Sequence, residues 1–418
     1  WGEIRQKQGF LSSRGSVARH LPAEKMSTNK QISKSIVMIS FFYINGILIM
    51  KLSFQSITYL TLGATVLLAL YACSSSTQSS QITSNAYQGA GSAWSLASNS
   101  DGSCTLSESV SNLKVNATCS KLSSGFTKIT VTGAVGGSVS LAAPAAGTVT
   151  YAYEVDGYMM PFIAFTENKV VPTVSAGTCV SSINHNFIVS FAKLKDTTST
   201  FTGWSHMGNY TINSSGLTLN SYKADGSVVA ANRNIPNFTL SSCSNGLQNT
   251  TDADGAVSSF YLTQNGGAIF HQDRTASTAG DGSAGSAEND FMLPATNDVT
   301  TLAGLDGNYI GFVITSSGAG TYNTTPVSVT AVNGAFALAA RSGTDLATST
   351  ANHSNFTLNT TKVATSLYNG SLTHTNAGGS IGCAINANIS NQKIVICSGL
   401  DPADATGKTL YSAILKSI

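Results

Sequence analysis

Residues 382–397 read GCAINANISNQKIVIC, and this stretch decides the fold that the sequence predicts. Two apolar runs flank a short polar turn near Ser390, which is the pattern of an antiparallel β hairpin. If the two strands pair symmetrically, Cys383 lies opposite Cys397, and directly opposed residues of antiparallel strands are within reach of a disulfide. The stretch therefore predicts a β hairpin closed by a disulfide.

Strand and turn signals recur through the rest of the chain. Large apolar residues alternate with small or polar ones in residues 149–155 and, more loosely, in residues 187–191. Asn-Gly pairs, which favour two-residue hairpin turns, begin at Asn265, Asn333 and Asn369. Six Asp-Gly pairs add further turn candidates, at Asp101, Asp156, Asp225, Asp254, Asp281 and Asp306. No long helical pattern follows residue 95, so we expect an all-β protein of antiparallel strands.

The composition agrees with this expectation. Only 10% of the 418 residues are charged, against about a quarter in an ordinary soluble domain, and the chain holds 39 glycines. Such a composition suits tight turns and half-buried strands more than amphipathic helices. The 42% of apolar residues are enough for a sizeable core, so we do not expect wholesale disorder.

An export signal precedes the strand-rich part. From Met50 the chain carries a basic Lys51, an apolar run and then Leu70-Tyr71-Ala72-Cys73, which is the layout of a secretory signal peptide. The last four residues resemble the lipobox of bacterial lipoproteins. That resemblance implies that Cys73 becomes the lipidated N-terminus of a cell-envelope protein, and Ser74 favours the outer membrane, on its periplasmic or its surface face. The alternative is an ordinary membrane-spanning helix over residues 53–72.

Removal of residues 1–72 changes the charge balance of the chain. That segment carries eight of the 22 basic residues and two of the 20 acidic ones, so the remainder has a formal charge of minus four. A mildly acidic chain without a basic run has no footprint for neutralising phosphates, so we expect no nucleic-acid partner.

Six cysteines besides Cys73 predict three disulfides in an exported chain. A hairpin centred on Ser111-Asn112 would bring the first two of the six opposite each other, as in the C-terminal hairpin. The expected pairs are Cys104 with Cys119, Cys383 with Cys397 and, by elimination, Cys179 with Cys243. No CxxC pair occurs and no His lies at ligand spacing from a cysteine pair, which disfavours zinc.

Calcium is the other metal that we considered, at residues 252–255 and 281–290. Neither acidic stretch follows a known ligand spacing, so turn-forming aspartates are the favoured interpretation. We predict no metal and no cofactor.

A weak internal repeat divides the strand-rich part. Asn186-Phe187-Ile188 is echoed by Asn308-Tyr309-Ile310, and two further echoes keep their order, which favours two homologous modules over chance. Each module is expected to be a sandwich or a meander barrel, and the LxGxxGxY pattern of residues 302–309 resembles lipocalin-type barrels. The predicted segments are a non-native upstream or leader sequence over residues 1–49, a signal peptide over 50–72, a flexible tether over 73–95 and an N-terminal β region over 96–178. They are followed by the first module over residues 179–290, which includes a linker at 275–290, and by the second module over 300–418.

Three aromatic residues in polar, Asn-rich surroundings form the candidate ligand site, namely Trp204, Tyr210 and Tyr222. Aromatic rings can stack on sugar faces, although core packing is the more common use of aromatics in β modules. The sequence therefore predicts a lipid-anchored, non-catalytic binding, adhesion or structural protein, with the membrane as one partner and a carbohydrate or a protein as ligand. The alternative is an envelope enzyme whose active site assembles from scattered polar residues.

Overall fold

The computed structural model describes two compact units, Trp1–Thr77 and Gln78–Ile418. The residues that it describes are 41–44, 47–50, 85–89, 94–139, 141–155, 158–165, 168–175, 181–193, 206–235, 243–244, 247–251, 257–262, 268–273, 287–316, 322–374, 377–400 and 410–418. In the first unit, strands β1 (Phe41–Ile44) and β2 (Ile47–Met50) form an antiparallel hairpin. No described helix is long and apolar enough to cross a membrane.

The N-terminal part of the second unit is a nine-stranded antiparallel meander. Its strands are β3 (Asn85–Gly89), β4 (Trp94–Ser98), β5 (Ser103–Glu108), β6 (Leu113–Lys121), β7 (Thr127–Val135), β8 (Val149–Ala152), β9 (Phe162–Ile163), β10 (Val170–Val171) and β11 (Thr173–Ser175). Strand β10 pairs with β9 and strand β11 pairs with β3, with only the buried Pro172 between them. Because proline has no N–H to give to a ladder, the chain changes partner there and joins the two ends of the sheet.

The middle part is a second nine-stranded sheet. Its strands are β12 (Ile183–Lys193), β13 (His206–Asn213), β14 (Gly216–Lys223), β15 (Val228–Ile235), β16 (Cys243–Ser244), β17 (Leu247–Thr251), β18 (Val257–Leu262), β19 (Ala268–Asp273) and β20 (Ala287–Pro294). Strand β12 pairs with both β13 and β20, so the meander returns to its first strand. The Asp225-Gly226 turn between β14 and β15 forms as predicted, with Gly226 at a φ of 86°.

The C-terminal part is a closed eight-stranded barrel, preceded by a 3₁₀ helix, Leu302–Leu305. Its strands are β21 (Gly307–Ser316), β22 (Tyr322–Val332), β23 (Ala335–Ser342), β24 (Thr348–Ala364), β25 (Leu367–His374), β26 (Ala377–Ile389), β27 (Gln392–Leu400) and β28 (Leu410–Ser417). Strand β28 pairs with β21 and closes the ring. The all-β prediction is thus confirmed, and the alternative of a sandwich for the last module gives way to the barrel.

The barrel has two apolar faces, and both are buried. Successive residues along its strands belong to two separate apolar clusters in turn. For example, Val313 belongs to one cluster and its neighbour Phe312 to the other. One cluster lies inside the barrel, and the other covers its outer wall together with residues of both other sheets. Phe312 on that wall contacts Phe126 and Tyr153 of the N-terminal part, with ring centroids 5.8 and 5.0 Å apart. This outer-wall cluster is the core that the three sheets share, while the barrel interior and the N-terminal sheet each hold a separate cluster.

The C-terminal hairpin forms in the predicted register. Cys383 is directly opposite Cys397, the two are disulfide-bonded with Cα atoms 4.1 Å apart, and both are fully buried. The turn at Ser390 and Asn391 has positive φ at both residues, as the strand twist requires.

The first predicted disulfide also forms, but the predicted register of its hairpin is wrong. Cys104 is bonded to Cys119, with Cα atoms 5.8 Å apart, while the residue directly opposite Cys104 is Ala117. The turn is centred one residue earlier than the symmetric construction assumed, so the bridge runs diagonally across one face of the hairpin. A separation of this size is still well suited to a disulfide.

Two predicted segment limits are corrected by the structure. The flexible tether was expected to reach residue 95, yet Tyr87 in β3 and Trp94 in β4 are 1% and 5% exposed. Two large aromatic side chains in a nearly charge-free segment have apolar area to bury, so this part pairs with the sheet. The linker expected up to residue 290 ends earlier, because β20 begins at Ala287. The remaining segment limits and the duplication stay predictions.

Asn369-Gly370 was predicted to be a turn and is instead the middle of β25. Gly370 pairs with Leu358 on one side and with Ile381 on the other. Asn333-Gly334 does form the predicted hairpin turn, with φ values of 48° and 82°. Asn265-Gly266 lies outside the described residues.

Candidate binding groove

An open groove of about 630 Å³ lies where the middle sheet meets the barrel. The β14–β15 hairpin supplies Tyr222, Asp225 and Val228 to one side. The barrel supplies residues 359–363 of β24 and Asn369 of β25 to the other side. A volume of this size is within the usual range of small-molecule sites.

A bulge in β24 shapes the barrel side of the groove. Leu358 pairs with Gly370, but the next paired residue on β24 is Lys362, opposite Tyr368. Three residues of β24 therefore face a single residue of β25, and such extra residues leave the ladder and bend the strand. The residues displaced in this way, Asn359 and Thr360 with Thr361, are exposed along the groove.

Two asparagine amides connect the sides of the groove. The Asn369 Nδ2 donates to the backbone oxygen of Asp225 at 2.8 Å, and the Asn359 Nδ2 donates to the Asn369 Oδ1 at 3.1 Å. This chain of hydrogen bonds joins the tip of the β14–β15 hairpin to the barrel. Gly226 fits here because an added Cβ would lie 2.9 Å from the Asn369 Nδ2.

The charged groups at the groove are engaged by their own neighbours. Lys362 donates to the Asp298 carboxylate at 2.5 Å and to the Val299 backbone oxygen at 2.9 Å. The hydrogen bond to Asp298 raises the pKa of Lys362 above its ordinary value. Hydrogen bonds from the hydroxyl and backbone N–H of Ser227 lower the pKa of the Asp225 carboxyl. The groove therefore presents amides, hydroxyls and an aromatic ring, with Lys362 neutralised by Asp298 and the Asp225 carboxylate held by Ser227.

The structure separates the predicted aromatic residues. Tyr222 lines the groove and packs partly against the shared core. Tyr222 is paired with Met207, which is three residues from Tyr210 along β13, so the two tyrosines lie on opposite faces of the sheet. Tyr210 is 9% exposed and stacks on Phe187 at 4.2 Å between ring centroids. The prediction that Tyr210 and Tyr222 form one ligand site is thus wrong. Trp204 lies outside the described residues.

Most residues of the groove carry no local sequence signal. Asn359, Thr360 and Thr361 belong to a composition rich in Asn and Thr, and only the β24 bulge makes them stand out. Asn369 was part of the predicted turn, so the sequence drew attention to this position for the wrong reason.

The other predicted sites fall largely outside the described residues. Cys73, the expected lipid attachment site, lies there, as does Cys179. Cys243 starts β16, and its predicted bridge to Cys179 stays a prediction. Among the residues that the structure describes, no group of three or more His, Cys, Asp or Glu side chains is arranged to hold a metal ion.

The barrel interior is filled by side chains. Its largest buried residues include Tyr309, Phe336 and Phe356, and the last two rings stack at 4.6 Å. Leu302 and Leu305 of the 3₁₀ helix join the same cluster, and the Tyr309 hydroxyl donates to the Leu305 backbone oxygen at 2.6 Å. Unlike barrels that hold a ligand in their centre, this one packs side chains through its interior in the part of the chain that the structure describes.

The chain thus belongs to the class of all-β proteins in which a closed, filled barrel is packed against two further sheets. No protein-family model and no curated protein matches the sequence.

Two solved structures show a low similarity to this chain. One is a mutant of the vaccine antigen Transferrin Binding Protein B from Haemophilus parasuis, with 10% identity and a TM-score of 0.26 over 78% of this chain and 65% of that chain, less than two thirds of its length. The other is a protein of unknown function from the DUF3598 family of Nostoc punctiforme, with 10% identity and a TM-score of 0.21 over 57% of this chain and 96% of that chain. At TM-scores this low, neither similarity carries an argument about function.

Proposed function

We propose that this chain is a lipid-anchored, non-catalytic binding protein of the bacterial cell envelope and that the groove holds a neutral saccharide. The single observation that carries the proposal is the lining of the groove, in which Lys362 is paired with Asp298, Ser227 hydrogen-bonds the Asp225 carboxylate, and Tyr222 lies beside a row of amides and hydroxyls. The packed interior of the described barrel supports an outer location for the ligand, because side chains occupy the space that a central ligand would need.

The polar lining matches the hydrogen-bonding pattern of sugar hydroxyls. Each asparagine amide offers two N–H donors and one oxygen acceptor. Asn359 uses one N–H to donate to the Asn369 side-chain oxygen. Its oxygen and second N–H remain for a ligand, together with the exposed hydroxyls of Thr360 and Thr361. Hydroxyl groups both donate and accept, so they suit such a mixed set better than an ion does. The Tyr222 ring adds an apolar face.

Saturation-transfer NMR on the full-length protein tests this proposal with a panel of neutral oligosaccharides and uncharged peptides. We expect saccharide signals from the wild type and at least a tenfold loss of affinity in Tyr222→Ala and Asn359→Ala. The matched control is Asn116→Ala, an exposed asparagine on β6 of the N-terminal sheet. Peptide binding without saccharide binding, or equal affinity in all three variants, would refute the saccharide assignment.

The lipid anchor is tested separately by metabolic labelling with a palmitate analogue. The wild type should be labelled and Cys73→Ala should not, because the resemblance to the lipobox makes this thiol the acylation site. Two or more acyl chains hold a protein on a membrane where one is marginal, so the variant should also leave the membrane fraction. Equal labelling of both proteins would remove the anchor from the proposal.

A further inference from the structure

We propose that a second cavity, between the N-terminal sheet and the outer wall of the barrel, binds a carboxylate that carries an apolar group. The cavity has a volume of about 400 Å³ and does not share a residue with the groove described above. Strands β8 and β9 form one wall, and β22 and β23 of the barrel form the other. Arg341 of β23 supplies the cation.

Arg341 holds a guanidinium whose donors are mostly unused. Its Nε is buried and has no hydrogen-bond partner, and its only hydrogen bond within the described residues runs from an Nη to the Ala347 backbone oxygen at 3.4 Å. No described carboxylate pairs with it. A buried donor without a partner costs free energy, and the cost is greater for a charged group. A carboxylate in the cavity would pair with guanidinium donors that are not buried and would compensate the charge of the side chain.

Asp345 and Lys128, which lie near the cavity, neutralise each other. The Lys128 Nζ is 2.9 Å from the Asp345 Oδ1, and this hydrogen bond raises the pKa of Lys128 above its ordinary value. Asp345 is therefore paired with Lys128, and the positive charge of Arg341 beside the cavity is not neutralised by it.

Two hydrogen-bonded bridges hold the walls of the cavity in place. The Tyr151 hydroxyl donates to the Thr344 backbone oxygen at 2.8 Å, and the Thr324 hydroxyl donates to the Asn168 backbone oxygen at 2.6 Å. The Thr150 hydroxyl likewise donates to the Ile163 backbone oxygen. Because these hydroxyl protons are used, the side-chain donors left for an anion are the Arg341 guanidinium, the Ser342 hydroxyl and the Asn168 amide, and only Arg341 carries a charge. The parallel N–H donors of one guanidinium match the two oxygens of a carboxylate, whereas a phosphate is usually held by more donors.

The remaining lining fixes the other half of the ligand. Ile163, Ala164 and Phe165 form an apolar wall on the side of the N-terminal sheet. Pro326 and Leu346 extend this apolar surface on the barrel side. A small hydrophilic anion would leave these side chains uncovered, so the lining favours a carboxylate attached to an aromatic or aliphatic group.

Chemical-shift titration of the full-length protein with benzoate tests the proposal, with benzamide, acetate and inorganic phosphate as comparison probes. Benzoate should bind at least tenfold more tightly than each of the other three. Arg341→Gln should weaken benzoate binding at least tenfold, and Phe165→Ala should weaken benzoate binding while leaving acetate binding unchanged. Lys114→Gln, which removes an exposed lysine of β6 outside the cavity, is the matched control and should bind benzoate as the wild type does.

Thermal unfolding distinguishes a ligand-binding arginine from a structural one. Because its Nε has no partner, Arg341→Met should keep or raise the melting temperature while abolishing benzoate binding. A lowered melting temperature with unchanged benzoate affinity would overturn the proposal. Phosphate binding equal to benzoate binding would overturn the carboxylate assignment, and these outcomes are independent of whether the groove binds a saccharide.

Discussion

Single tyrosine hydroxyls join the three sheets. The Tyr153 hydroxyl donates to the Ile414 backbone oxygen of the barrel at 2.8 Å, and the Tyr158 hydroxyl donates to the Met292 backbone oxygen of the middle sheet at 2.9 Å. Both residues are fully buried, and burial raises the pKa of each phenol above its ordinary value. Each hydroxyl therefore keeps its proton and remains a hydrogen-bond donor at neutral pH.

At the residue scale, Tyr158→Phe should lower the free energy of unfolding by about 1 to 2 kcal/mol, because it removes one buried donor and leaves its acceptor without that bond. Urea denaturation followed by tryptophan fluorescence measures the change. Tyr151→Phe is the matched control, since the Tyr151 hydroxyl bonds a backbone oxygen of an exposed turn that water can reach. If the two variants lose the same stability, burial is not what gives the Tyr158 hydrogen bond its strength.

At the scale of the strand, Gly370 shows why a turn signal failed. The residues two positions away on either side, Tyr368 and Leu372, point into the barrel, so Gly370 faces the interior as well. An added Cβ would lie 2.1 Å from the Thr357 backbone oxygen of the neighbouring strand. The glycine is thus needed for close approach of two backbones and not for positive φ.

Gly370→Ala should therefore destabilise the barrel by about 2 kcal/mol or more, because a backbone atom must move to admit the methyl group. Gly378→Ala on the next strand is the control, since nothing lies within 4 Å of its added Cβ. That variant should change the free energy of unfolding by less than about 0.5 kcal/mol, the usual range for surface substitutions. Equal stability of both alanine variants in a urea titration would show that β25 does not pass this close to β24.

The two hairpin disulfides allow a matched comparison. Cys383 and Cys397 are separated by 14 residues, and Cys104 and Cys119 by 15. In the chain-entropy model, loops of such similar length give similar stabilisation, about 3 kcal/mol each. Double alanine substitution of either pair should thus lower the free energy of unfolding by a similar amount. Non-reducing peptide mapping checks the pairing, and a peptide that links Cys383 to Cys104 or to Cys243 would contradict it.

At the scale of the whole molecule, the outer wall of the barrel is an internal surface. Phe312 contacts aromatic rings of the N-terminal part, and Gly382 lies against Met207 of the middle sheet. The Asn186 Nδ2 donates to the Thr365 backbone oxygen at 2.7 Å and adds a polar link between the middle sheet and the barrel. The groove and the second cavity both lie at these junctions between sheets.

Phe312→Ala should lower the free energy of unfolding by about 3 to 5 kcal/mol through the cavity that it leaves. Its effect on hydrogen exchange should reach across the junction, with faster exchange in β7 and β8 as well as in the barrel. Phe336→Ala, which removes a ring inside the barrel, is the comparison and should speed exchange mainly within the barrel. If Phe312→Ala leaves exchange in β7 and β8 unchanged, the N-terminal sheet does not depend on this wall.

The sequence alone determined the features that depend on neighbouring residues. The all-β class, the turn at Asn333-Gly334 and the disulfide pairs Cys104–Cys119 and Cys383–Cys397 follow from alternation, turn chemistry and short hairpin geometry. The turn and each disulfide pair lie within about 15 residues of chain, and closing so short a loop costs less conformational entropy than closing a long one.

Only the tertiary structure decided which surfaces are covered. Strands β27 and β28 are buried on both faces, so their sequences show no clean alternation, and nothing local reveals that other sheets pack on the outside. The groove depends on a contact between Asp225 and Asn369, and the cavity on one between Tyr151 and Thr344. Residues so far apart meet only because the three sheets bury their remaining apolar faces against one another. Hydrophobic periodicity in the sequence predicts strands, but it does not indicate which sheets pack together.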